Sequence, residues 1–229
     1  MGGTADTSLL SKHMTASWIK HNWHRILAHV AGLAPAALFA LDYLRDDMGP
    51  LLNRQLMLRS GSAGLLMLVA SLACTPLNTL LGWRQAVQMR RPLGLYGFFY
   101  TTLHLLAYAV LDNLLDFELI WRDVGERRSM LVGLVAFLAL LPLALTSTRG
   151  WQQRLGRGWR ALHRLVYLAL PLSVLHYLWL DRDFIGVPLI YAAVVGLLLL
   201  LRLPRLRRAI VRLRARHHGA DRDVATAKR

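Results

Sequence analysis

Residues 159–179, WRALHRLVYLALPLSVLHYLW, form an apolar run that carries two histidines, His163 and His176. About 20 residues rising about 1.5 Å each cross the hydrocarbon layer of a bilayer, so the run reads as a membrane-spanning helix. The histidines are 13 residues apart, or about 20 Å of helix rise, which sets one imidazole near each side of the membrane. At 100° per residue they also point about 140° apart around an ideal helix. Either Pro171 bends the helix between them, or they serve sites at different azimuths, or His163 has the lesser role. Burying an unpartnered polar ring in lipid costs several kcal/mol, so these side chains are expected to hold something.

The rest of the chain repeats the apolar pattern. Of 229 residues, 55% are hydrophobic, yet the formal charge is +15, an unusual pairing for a soluble domain. Apolar blocks fall at about 26–41, 61–81, 93–111, 130–147, 161–180 and 185–203, each near the length a span needs. The expected fold is an all-α integral membrane protein, a six-transmembrane-helix bundle at 23–204, with an N-terminal segment 1–22 and a basic tail 205–229. Basic residues cluster on alternate connections: Lys12, Lys20 and Arg25, then Arg84, Arg90 and Arg91, then Arg149, Arg154, Arg157 and Arg160, then the arginines from Arg202 onward. The other connections hold Asp42, Asp46 and Asp47, then Asp112, Asp116, Glu118, Asp123 and Glu126, then Asp181 and Asp183. Positive charge favours the cytoplasmic side, so both termini are expected there. This topological distribution, with no nucleic-acid-binding motif, argues against a nucleic-acid partner. Cys74 is the one cysteine and allows neither an intrachain disulfide nor covalent haem attachment. The polar first twenty residues lack a cleavage signal, which points to an uncleaved first helix.

Along the chain, His24 is expected at the membrane interface, and His29, deeper, is either a third ligand or a hydrogen-bonding core residue. The segment LLNRQLML at 51–58 reads as an amphipathic piece on the outer surface. The second span is rich in small residues that let helices approach, and Thr75-Pro76 should kink it or end it. The third span follows Arg90-Arg91 as RRPLGLYGFFYTTLHLLAY, with Pro92 suited to a first helical turn. His104 lies about 20 Å up this helix from Arg91, and His176 about 24 Å up its own from Arg160, so the two match in depth to about one turn. Tyr96, Tyr100, His104 and Tyr108 follow at steps of four, a stripe that, with Gly94 and Gly97 beside it, reads as the wall of a cofactor site. The fourth span reads as scaffold. After Pro204, RLRRAIVRLRARHH reads as a basic amphipathic segment suited to the membrane surface or an acidic partner, with His217 and His218 solvated.

Two neutral imidazoles at one depth on neighbouring helices are what a b-type haem needs within a bundle. Zinc would need further ligands that the apolar spans lack. An inner site at His163 is incomplete, since the third span offers Arg90 or Arg91 where a second histidine would stand.

The third span, the segment LHRLVYLA at 162–169 with its downstream HYLW, and the TPL at 75–77 resemble the MsrQ (YedZ) family, related to ferric reductase and NADPH oxidase membrane domains. The resemblance covers residues 20–205. It implies that His104, His163 and His176 are the haem-associated histidines, serving as axial ligands of haem b, one or two in number, and that FMN is also bound. It implies a bacterial inner-membrane electron-transfer subunit. Its electrons would come from the quinone pool or a separate cytosolic flavin reductase and pass to the periplasmic molybdenum reductase MsrP, which repairs methionine sulfoxide in oxidised proteins. No residue matches an FMN motif. The alternatives are a stand-alone haem ferric reductase and a proton-coupled transporter using histidine relays. Transport would call for internal repeats and acidic residues within the spans, and neither is visible in the sequence.

Overall fold

The computed structural model describes residues 4–45, 51–180 and 185–214, with side chains from residue 22 onward. The connections bearing Asp46, Asp47, Asp181 and Asp183, residues 1–3, and the end of the tail with His217 and His218 lie outside the described residues. Within them the chain is helical and contains no strand. The helices are α1 (Thr4–Leu44), α2 (Leu52–Leu81), α3 (Arg84–Leu106), α4 (Phe117–Glu126), α5 (Arg128–Leu145), α6 (Arg149–Leu155), α7 (Arg157–Leu162), α8 (Val166–Leu180) and α9 (Gly186–Leu200), followed by α10 (Pro204–Arg214). A π-helical segment, Ala107–Asp112, prolongs α3, and a 3₁₀ turn, His163–Leu165, joins α7 to α8.

Among the described residues, five stretches are long and apolar enough to cross a membrane: Asn22–Leu44, Leu52–Leu81, Arg84–Asp112, Arg128–Leu145 and Arg157–Leu180. The expected sixth, α9, has only 15 residues, about 22 Å of rise against a hydrocarbon layer of about 30 Å. It qualifies only together with α10, from which a bend of 73° separates it. Pro204 cannot supply an amide to continue the helix.

Helix α2 is the axis of the bundle, with 56% of its most apolar window buried against 11% for α1. One core cluster joins Leu65, Leu68 and Leu72 of α2 to Leu140, Leu170, Val174 and Val195. The other joins Ala63, Met67 and Cys74 to Ala28 of α1 and to Ala86, Met89 and Tyr100 of α3. Small residues bring α2 and α3 together, as their composition predicts. A methyl group on Gly64 would stand 2.8 Å from the Thr101 hydroxyl, and one on Gly97 equally close to Leu68. Helix α5 packs along α8 as α2 does along α3.

Several local expectations are corrected. The LLNRQLML segment is not a separate surface piece, because Leu52 onward is helical and runs straight into the second span. Pro76 does not end α2, which continues to Leu81 and closes on Gly82 in the left-handed region (φ 70°), whose amide donates to the Asn78 carbonyl. Pro92 is inside α3 rather than in its first turn, since the helix already begins at Arg84. The break in the fifth span comes at His163–Leu165, whereas Pro171 lies within α8.

Candidate functional site

His104 on α3 and His176 on α8 come together, with ring centres 6.2 Å apart and planes at 76°. Each ring is held in the same way. His104 Nδ1 donates to the Met57 carbonyl at 2.8 Å, and His176 Nδ1 donates to the Ser129 carbonyl at 2.6 Å. A carbonyl oxygen only accepts, so the proton of each neutral ring sits on Nδ1 and Nε2 keeps its lone pair. A metal with imidazole nitrogens about 2.0 Å away on two opposite sides separates the ring centres by about 6 Å. The spacing of the pair suits two imidazoles that would hold one porphyrin iron between them through Nε2. Among the described residues no group of three or more His, Cys, Asp or Glu stands ready for a metal ion.

The glycines Gly61 and Gly133 stand beside these rings. A methyl group on Gly61 would lie 2.9 Å from His104 Nδ1, and one on Gly133 2.7 Å from His176 Nδ1. Met57, Gly61 and His104 thus recur as Ser129, Gly133 and His176, each 72 residues later. The α2–α3 pair and the α5–α8 pair thus each hold an imidazole in the same way. Acidic residues of the spans still stay at their ends, as with Asp42 and Asp112.

His163 is apart from this pair. Its ring lies 4.0 Å from that of Trp159, at 32°, and its Nε2 is 3.3 Å from the Thr146 hydroxyl. That hydroxyl donates to the Pro142 carbonyl at 2.6 Å, so in this contact Nε2 of His163 is the donor. Trp159 closes the clamp by donating to the Thr146 carbonyl at 3.0 Å. His163 borders a cavity of about 240 Å³ with an apolar floor that includes Leu68, Phe98 and Leu140, and a polar rim that includes Arg90, Arg91 and Gln152. No second imidazole lines it. In the 72-residue register the counterpart of His163 is Arg91.

The two other histidines whose side chains are described both have partners. His24 is buried and bonds Gln88 at 2.7 Å. His29 bonds the Tyr96 hydroxyl at 3.1 Å but is exposed in the described structure, so it is not the core residue expected. The aromatic stripe does not form one cofactor wall. Tyr96 and Tyr100 bond α1, His104 bonds α2, and Tyr108 donates to Asp123 of α4 at 2.9 Å. Steps of four drift about 40° each around a helix, which carries the stripe across three neighbours. Gly94 and Gly97 abut Ser71 and Leu68 of α2 rather than open space.

Residues 60–174 match the family described as the ferric reductase like transmembrane component. The protein-methionine-sulfoxide reductase heme-binding subunit MsrQ of Rhodospirillum rubrum is 45% identical over 186 residues, which cover 80% of this chain and 89% of that protein. The chain belongs to the MsrQ family. Subunits of the same name from Xanthomonas axonopodis pv. citri and Caulobacter vibrioides are each 40% identical, over 76% and 77% of this chain and 83% and 84% of their own lengths. No solved structure matches the chain. Membership of the MsrQ family and the run of apolar helices make this a multi-pass membrane protein. Of the three histidines the MsrQ resemblance singles out, the fold brings His104 and His176 together and leaves His163 at the cavity. The Met57 and Ser129 carbonyls escaped the sequence reading because every residue has one. The paired glycines were legible only through the 72-residue register.

Proposed function

We propose that this chain is the haem-binding membrane subunit of a protein-methionine-sulfoxide reductase, carrying electrons across a bacterial inner membrane. In this reading the domain at 23–204 crosses the membrane six times, and segments 1–22 and 205–229 are cytoplasmic. The observation that carries it is the His104–His176 pair, with ring centres 6.2 Å apart and both Nδ1 atoms committed to carbonyls. These two residues hold the iron of a haem b through Nε2. Haem b supplies reversible one-electron chemistry when bound.

On the inner side, the cavity beside His163 is the second cofactor position. His163 lines it, Trp159 lies against the imidazole, and Arg90 and Arg91 suit the carboxylates of a second porphyrin. FMN is proposed on family grounds alone, with no residue assigned to it. On the outer side, a recess of about 480 Å³ is lined by Glu126, Arg127, Arg128, Ser129 and Trp179. Ser129 is also the residue whose carbonyl holds His176, so this recess reaches the wall of the outer site. Electrons enter from the quinone pool or a cytosolic flavin reductase and leave toward the periplasmic molybdenum reductase MsrP.

Reduced-minus-oxidised spectra of the purified full chain test this. A b-type spectrum is expected, lost in His104→Ala and in His176→Ala, and diminished but present in His163→Ala. A chain without haem bands, or bands indifferent to both outer substitutions, sinks the proposal. Reoxidation of the reduced chain by purified MsrP but not by ferric chelates separates this role from that of a stand-alone ferric reductase.

A further inference from the structure

Axial ligation asks only for His104 and His176, and does not account for the carbonyl and the glycine that accompany each. Met57 and Gly61 are four residues apart on α2, as Ser129 and Gly133 are at the start of α5. Residues four apart share a helix face, so the carbonyl and the bare Cα of the glycine look out on the same side. The imidazole occupies the space where a side chain would stand, 2.9 Å from a methyl carbon on Gly61 in one copy and 2.7 Å from one on Gly133 in the other.

We infer that Met57 with Gly61, and Ser129 with Gly133, are matched positioning devices that set the placement and electron-donating strength of the two haem ligands, and with them the midpoint potential. The inference rests on the ligation proposed above. Donation from Nδ1 to a carbonyl raises the basicity of the imidazole toward its metal, and a stronger donor favours the oxidised iron. Each glycine lets the ring come close enough for that bond, at 2.8 Å to Met57 and 2.6 Å to Ser129. An added methyl makes the ring withdraw and loosens the bond. Because the two units repeat one geometry, substitution in either has the same sign of effect.

The test is potentiometric titration of the haem-loaded full chain as wild type, Gly61→Ala, Gly133→Ala and Gly196→Ala. Gly196 is the control, since a methyl there meets nothing within 4 Å. The midpoint potential of the haem that depends on His104 and His176 is expected to move positive in Gly61→Ala and Gly133→Ala. Haem retention should fall on the order of tenfold, while Gly196→Ala matches wild type. Wild-type potential and retention in both site variants overturn the inference. A second measurement needs no variant: pulsed electron paramagnetic resonance of the ferric wild type labelled with ¹⁵N-histidine. An exchangeable proton on the remote nitrogen of both ligands is expected, and ligation through Nδ1 or a bare remote nitrogen overturns it. Failure of the underlying reading is distinct, appearing as a full haem spectrum in His104→Ala and His176→Ala.

Discussion

The Tyr100 hydroxyl donates to the Gly32 carbonyl at 2.7 Å and accepts from the Ala36 amide at 3.2 Å. Those are the two groups that one turn of α-helix pairs with each other, and they flank Pro35, which has no amide to give. A side chain of α3 thus completes the backbone of α1 where lipid offers no alternative partner. Tyr100→Phe keeps the ring and removes both bonds, and is expected to lower stability by about 1 kcal/mol, read as a lower midpoint of thermal unfolding in detergent with an unchanged haem spectrum. At this scale the sequence was partly legible. The depth match of His104 and His176 could be computed because a helix is a ruler of fixed rise. What each tyrosine of the stripe touches could not, because a drift of about 40° per step decides nothing until the neighbouring helices are in place.

Proline 76 gains its meaning only at the level of whole helices. It removes the amide that would bond the Leu72 carbonyl, and Arg202, at the corner between α9 and α10, donates to that carbonyl at 2.5 Å. The same guanidinium donates to the Tyr167 hydroxyl at 2.8 Å and lies over its ring at 5.5 Å, so one arginine ties α2, α8 and the α9–α10 corner. Arg214 of α10 adds a contact to the Asn78 carbonyl at 3.5 Å, a cation at the negative end of α2. Pro76→Ala supplies an amide that competes for the Leu72 carbonyl, so Arg202→Gln should destabilise the wild type more than it does the Pro76→Ala chain. The double-mutant cycle is expected to give a coupling of about 0.5–1.5 kcal/mol, measured by unfolding in detergent; strictly additive effects would contradict the tie. Hydropathy found the spans but not the bend in the last, because the apolar run continues to Leu203 whereas the helix stops at Leu200. An arginine bonded inward and a proline that cannot propagate a helix turn the chain aside there.

For the whole molecule, charge and fold agree about which ends of the helices belong together. Arg90 and Arg91 of α3, Gln152 of α6 and Trp159 of α7 line one cavity, and α10 meets the end of α2 just before α3 begins, so the basic segments gather at one end of the bundle. Helix α4, with its exposed Phe117 and Trp121, packs on the start of α5 at the other. An excess of arginine marks the cytoplasmic side because such segments resist translocation. Cys74 is buried at 3% exposure, so a Cys74→Ala chain provides a clean background for reporting cysteines. Gly125, in α4, and Gly158, in α7, both accept a side chain with nothing within 4 Å. In intact spheroplasts a membrane-impermeant maleimide should label Gly125→Cys at once, and Gly158→Cys only after the membrane is opened. The opposite pattern would invert the bundle and turn the His104–His176 pair toward the cytoplasm, leaving no route from an inner donor to a periplasmic acceptor in the proposed order. Labelling of both sites from outside would mean that an even number of crossings separates α4 from α7, which the continuous α5 between them does not allow.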